Sequence, residues 1–533
     1  MAALAILIGI YSYLIFALGL LGLLERKFIV ILTGSFLLLI AVIKGKKVFR
    51  RISRIRIKEV ITDKISLIFL TLLLLQVFVN LVGALGPELG FDALWYHLTL
   101  PKLYLQEHRL FFVPGSLLYY CSMPKLLEMV YTVALAFQGE ILAKIIHFIL
   151  GICCCLAIFR LARRYFTQRT AWLVTICFYS SLVVGWQSIT AYVDLGRTFF
   201  EILALDYFLR WWKSQKNQDL IESAVMLGLA ATTKMLAFGS LVVYLPLIIW
   251  KFRQNFKRLF LFCFCFSFLV FLIPLPWLIF SFIHTRNPFY PLFADILDQA
   301  HTLVVFRPPS FLTDFWNLFL HSADPINPLF LIVLPCLVVF GKKLKKVEKV
   351  VLVYCLLSYS AWYFTPRTGG GRFFLPYLPA FCFLVGSVYE LTRKSLTGKF
   401  LLTMAVLLSL VNLVYRAAAN AKYLPVIFHQ QSKEEFLLEN LNFAFGDFYD
   451  SGGKIKDLLK PGDLVLIKGI HNLYYVDFPF EEESWAKNSD VFTHLLFRGE
   501  KLPKIFGQRR LVYENKATGD KLYLFPNKWH ESY

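Results

Sequence analysis

The segment GFDALWYHLTLPKLYL (residues 90–105) sets a carboxylate, an imidazole and an ammonium (Asp92, His97 and Lys102) among aromatic and aliphatic side chains, and Arg109 follows closely. Further along, Asp194 stands in TAYVDLGRT, Lys234 in ATTKM, Arg286 in HTRNPFYPLF, and Arg367 and Arg372 in PRTGGGRFFLPYLP. Two carboxylates without a strong local partner and a set of cations suit displacement at a carbon that bears a phosphate. The carboxylate takes a proton from the attacking hydroxyl. The cations stabilise the charge that builds on the departing phosphate.

The elements that must bring these groups together are membrane helices. The chain has 533 residues, of which 58% are hydrophobic and 17% charged, with a mean hydropathy of +0.60. A soluble chain carries roughly a quarter charged residues, whereas here apolar runs of about 20 residues recur, the length that spans a bilayer. The spacing predicts helices over about 3–24, 27–44, 65–84, 126–160, 171–186, 195–213, 219–232, 235–250, 259–283, 325–341, 349–365, 372–391 and 400–416. The N-terminal run has no basic region or small-residue cleavage site and reads as a retained helix.

The net charge of +21 lies wholly before Arg416, because the remainder holds 16 basic and 16 acidic residues. Its basic clusters, among them KGKKVFRRISRIRIK, RLARRYFTQR and GKKLKKVEK, fill short loops between apolar runs. That is the positive-inside pattern, which argues against a nucleic-acid partner. It predicts an all-α polytopic membrane domain of about 13 transmembrane helices over residues 1–416, with a cytoplasmic N-terminus in the plasma membrane. Residues 417–533 are predicted to form a small extracytoplasmic α/β domain. KIKDLLKPGDLVLIKG reads as helix, turn and strand, and RLVYENKATGDKLYLF as a hairpin. All ten cysteines precede it, and their placement implies neither a disulfide framework nor a zinc site.

With this topology Asp92, His97, Lys102, Asp194, Lys234, Arg286 and Arg372 all fall on the outer side. Other ionisable residues are expected to neutralise one another at helical spacing: Glu140 with Lys144, Arg197 with Glu201, Asp206 with Arg210, and Lys125 with Glu128. Each outer residue also has a plainer reading. Asp92 is a favoured helix N-cap, Asp194 can pair with Arg197, and Lys102, Lys234 and Arg372 can reach lipid headgroups. His97, five residues from Asp92, falls off its helical face, and a hydrogen bond to substrate or backbone suits it better than a metal. An outer compartment lacks nucleotide sugars, so a sugar donor there has to arrive on a lipid.

Taken in order, GFDALWYHLTLPKLYL, AYVDLGRTFF, LAATTKM, TRNPFYPLF and GGGRFFLPYLP resemble the GT-C superfamily of integral membrane glycosyltransferases. The likeness is to the polyprenyl-phosphate-sugar-dependent branch with protein O-mannosyltransferase-like and lipid A aminoarabinose transferase-like enzymes. It implies transfer of a sugar from a polyprenyl-phosphate donor to a hydroxyl of a glycan, lipid or protein acceptor at the outer membrane face, and a single displacement step is expected to invert the anomeric centre. It implies Asp92 as the catalytic base and Asp194 as a second catalytic carboxylate that positions acceptor or sugar. His97, Lys102, Lys234, Arg286 and Arg372 are then expected to bind substrate, the cations by holding the lipid phosphate. Asp92 lacks an adjacent acidic partner, so no metal or other cofactor is expected. A transporter of a lipid-linked or anionic solute is the competing reading. No inverted repeat supports it.

Overall fold

The structure, a computed structural model, describes residues 1–52, 63–294, 308–322, 326–365, 370–487 and 490–528, with the backbone alone over 44–52 and 527–528. Apolar runs become helices because in lipid each backbone N–H and C=O must find its partner within the segment. The first three are α1 (Ala2–Leu20), α2 (Arg26–Ile52) and α3 (Lys64–Leu85). A π-helical turn (Ala93–His97) and α4 (Thr99–Gln106) lie in the loop that follows. Next come α5 (Leu126–Phe137), α6 (Glu140–Arg163), α7 (Gln168–Tyr179), α8 (Leu182–Gln187), α9 (Asp194–Ser214) and α10 (Asn217–Thr233). After a 3-10 turn (Met235–Ser240) the chain runs through α11 (Leu241–Phe252), α12 (Phe256–Leu272), α13 (Leu275–Thr285), α14 (Pro308–Leu320), α15 (Leu329–Phe340) and α16 (Lys346–Tyr363). The membrane domain ends with α17 (Gly370–Phe374), α18 (Leu378–Thr392) and α19 (Leu396–Ala421).

Six helical segments among the described residues are long and apolar enough to cross a membrane singly, and the bent pair α12–α13 makes a seventh if taken as one span. Several expected crossings are divided. Residues 126–160 break at Gly139, whose φ of +86° lies in the left-handed region that glycine enters without steric cost. Residues 259–283 bend by 65° between α12 and α13 beside Pro274, which cannot donate to the helical ladder. Residues 171–186 divide into α7 and α8.

At the centre runs α9, packed on α6 and α10 and buried along nearly all its length. It carries the expected Arg197–Glu201 pair at 3.1 Å. The other short-range pairs form differently. Asp206 accepts from Arg164 and Arg210 meets Asp219. Glu140 pairs with Lys433, while Lys144 donates to the carbonyls of Gly86 and Pro87. Lys125 precedes α5 with a non-helical backbone (φ −135°, ψ 55°) and donates to main-chain carbonyls, without an ion pair to Glu128.

The C-terminal region holds α20 (Leu424–Ile427), α21 (Lys433–Asn440), α22 (Lys454–Leu458) and strands β1 (Val465–Lys468), β2 (Phe480–Glu482), β3 (Val491–Arg498), β4 (Leu511–Asn515) and β5 (Asp520–Lys528). The sheet order is β2-β1-β3-β5-β4. Strand β1 is parallel to both its neighbours, and β4–β5 is the expected antiparallel hairpin. Capping-box Ser432 opens α21, and Phe436, Leu437 and Leu441 pack with Leu94 and Ile189 of the membrane domain. The region thereby rests on the loop that carries Asp92.

Candidate active site

That loop is clamped at its base by Glu88. Its carboxylate is buried and accepts from the N–H groups of Leu89 and Gly90, and from Ala191 N–H at 2.6 Å. One side chain thus ties the segment that leads to Asp92 to the segment that leads to Asp194. Burial raises the Glu88 carboxyl above its ordinary range, and Lys144 and the three N–H groups oppose that rise. Tyr192 adds a second tie, its hydroxyl accepting from Asp92 N–H at 3.0 Å.

Asp92 occupies the position before the π turn but makes no side-chain cap. Its Oδ2 instead accepts from Arg372 Nη1 at 2.7 Å and from the Tyr96 hydroxyl at 3.3 Å. The Arg372 guanidinium lies between the rings of Tyr192 and Phe373, at 5.0 and 5.1 Å, and its Nε faces Asp194 Oδ2 at 4.0 Å. Asp194 Oδ1 in turn accepts from Lys234 Nζ at 2.7 Å. Lys234 sits in an extended break (φ −152°, ψ 120°) between α10 and the 3-10 turn, with its ammonium over Phe373. The result is a chain of alternating charge, Asp92–Arg372–Asp194–Lys234, drawn from four separate segments. Such pairing lowers the cost of burying each charge.

Asp92, Arg372 and Lys234 edge a cavity of about 350 Å³, and the fully buried Asp194 carboxylate does not line it. Its other walls are largely apolar or aromatic, among them Tyr119, Leu236, Phe238, Phe271, Phe289 and Phe373. His97 is also in the wall. The π turn closes with Leu98 N–H on Ala93 O, and this wider turn brings residue 97 to the same cavity as residue 92, where α-helical spacing would part them. The His97 Nδ1 meets Glu128 Oε1 at 2.8 Å. Lys125, set aside in the sequence as a partner of Glu128, lines the cavity as well and donates to the carbonyls of Tyr120 and Met123.

Three further residues lie elsewhere. Lys102 turns away from the cavity and donates to the main-chain carbonyls of Tyr474, at 2.8 Å, and Val476. Desolvation lowers its ammonium to about 8. Arg286 is exposed and adopts a left-handed backbone (φ 58°) at the end of α13. The cavity is instead reached by Phe289, Pro291 and Leu292, which follow it. Arg109 is exposed beside Glu107, and Arg367 lies outside the described residues. Among the described residues no group of three or more His, Cys, Asp or Glu side chains is placed to hold a metal ion.

Residues 128–280 match the family model of dolichyl-phosphate-mannose-protein mannosyltransferase. No curated protein matches the chain in sequence. Among solved structures, ArnT from Cupriavidus metallidurans bound to undecaprenyl phosphate is similar, with a TM-score of 0.60 and 13% identity over 86% of this chain and 97% of that one. The apo form of ArnT gives a TM-score of 0.56 and 12% identity over the same shares of the two chains. In its overall fold, and in sequence over residues 128–280, the chain is similar to the GT-C superfamily of integral membrane glycosyltransferases.

Proposed function

We propose that the chain transfers a sugar from a polyprenyl-phosphate-linked donor to an acceptor hydroxyl at the extracytoplasmic face of the plasma membrane, with inversion at the anomeric carbon. The observation that carries this reading is the run of alternating charge at the edge of an apolar cavity. An apolar wall suits an isoprenoid chain, and paired cations beside it suit the phosphate at the head of that chain.

Asp92 acts as the base. Its Oδ2 is taken by Arg372 and Tyr96, and its Oδ1 takes no hydrogen bond from the described residues, which leaves that oxygen for the acceptor hydroxyl. Arg372 and Lys234 hold the phosphate as it departs, with Lys125 facing the same cavity. Asp194 sets the positions of both cations and orients sugar or acceptor. A single displacement by an activated hydroxyl inverts the carbon. The acceptor is a glycan, a lipid or a protein.

The test is transfer by the purified protein in lipid, offered a panel of polyprenyl-phosphate sugars with membrane extract as acceptor. Wild type is expected to transfer from one donor, and Asp92→Asn to lose about 10²-fold or more with its thermal unfolding unchanged. No transfer from any donor, together with solute uptake into vesicles, would overturn the reading in favour of transport.

A further inference from the structure

The cavity wall holds a second proton-accepting group that the reading above leaves idle. His97 is 2% exposed, its Nδ1 faces the Glu128 carboxylate at 2.8 Å, and its Nε2 has no hydrogen-bond partner among the described residues. A carboxylate only accepts, so the nitrogen that faces it carries the hydrogen and Nε2 keeps its lone pair. The carboxylate also stabilises an imidazolium, should the ring take up a proton. A buried nitrogen without a partner is costly unless something else fills its place, and here the ring borders the cavity. The π turn is what puts it there, on the same wall as Asp92.

Sugar transfer releases one proton. The acceptor oxygen bonds to the anomeric carbon, the bond from that carbon to the phosphate oxygen breaks with its electron pair, and the hydroxyl proton passes to Asp92. The pocket is walled mainly by apolar and aromatic groups, and His97 shares that wall with Asp92. Asp92 has to give it up before the next cycle. We infer that His97 Nε2 receives this proton, with Glu128 as the positioning residue that fixes the ring and stabilises the imidazolium until product leaves. This inference rests on Asp92 as base.

The groups that face the ring are Glu128 from α5, the phenols of Tyr96 and Tyr192, and Asp194 and His147, each close enough to sense its charge. Lys125 adjoins Glu128. Among the described residues, Glu128 alone touches the imidazole through a hydrogen bond.

The test measures kcat and donor KM for wild type, His97→Gln and Glu128→Gln. His97→Gln is expected to lower kcat by about 10²-fold with donor KM held. Glu128→Gln, which loses the charge but keeps an acceptor oxygen, is expected to lower kcat by less, again with donor KM held. A His97→Gln enzyme within threefold of wild type would overturn the inference while leaving the transferase reading intact. So would a loss confined to KM. Histidine ¹⁵N NMR of the wild-type protein gives a readout independent of turnover. A ring protonated on Nδ1 alone is expected, and a ring protonated on Nε2 alone would refute the arrangement even in a preparation that transfers nothing.

Discussion

Arg372 is the side chain that links the two carboxylates. Its Nη1 holds Asp92 and its Nε approaches Asp194, while two aromatic rings flank the plane. A guanidinium does this because it is flat and donates from a fixed fork, and an ammonium has neither property. Arg372→Lys is therefore expected to keep the fold but lower kcat/KM about 10-fold or more. Arg372→Met is expected to lower it further, because it leaves Asp92 without its ion-pair partner and Asp194 with Lys234 alone among the described residues; steady-state kinetics on the two variants checks the order. This much of the site was legible in the sequence, because ionisable residues at membrane edges are costly and stand out. The His97–Glu128 pair was not. Glu128 stood three residues after Lys125 and looked neutralised, yet the backbone of Lys125 is not helical, so sequence spacing misassigned the partner.

Elements, not single side chains, decide whether Asp92 and Asp194 meet. The loop from α3 and the segment before α9 are joined by Glu88, which satisfies three N–H groups at once. Glu88→Ala would leave those donors unpaired, the two at Gly90 and Ala191 buried and each of these at a cost of about 1–3 kcal/mol. The expected result is a Tm lowered by several degrees and a kcat reduced about 10-fold or more, because Asp92, the proposed base, is displaced; differential scanning fluorimetry alongside the transfer assay tests both. If the Tm falls while kcat holds, the clamp stabilises the fold without placing the base. Gly139 makes the complementary case. Its φ of +86° ends α5, and Gly139→Ala is expected to destabilise by about 1 kcal/mol or more although its Cβ would meet nothing within 4 Å. Thermal unfolding reads this directly. Hydropathy located the apolar runs but not these breaks, because a positive φ at Gly139 and a π turn at residues 93–97 leave no trace in apolar periodicity. The π turn explains why His97 was placed off the face of Asp92.

Over the whole molecule, the C-terminal α/β region and the membrane domain are held together through the loop that carries Asp92. The expected strand and hairpin formed where their turn residues stood, but nothing in the sequence joined them to α4, since the acceptors are main-chain carbonyls that any residue supplies. Lys102 makes that joint. Its ammonium is removed from water and lowered to about 8, against roughly 10.4 in an unfolded chain. The folded state therefore binds this proton less tightly than the unfolded state. Below pH 8 both states are charged and the folded one bears the full desolvation cost. Between pH 8 and about 10.4 the unfolded chain holds the proton that the folded chain has released, so this residue's contribution to stability rises with pH across that window, by up to ~3 kcal/mol. The neutral amine keeps two N–H groups for two carbonyls, so the joint survives deprotonation. Lys102→Met removes both the charge and the donors. The Tm of wild type minus that of Lys102→Met is accordingly expected to increase between pH 8 and 10, as measured by scanning calorimetry in detergent. A difference that falls over the same interval would show that the charged ammonium, and not the amine, holds the C-terminal region to the loop that carries Asp92.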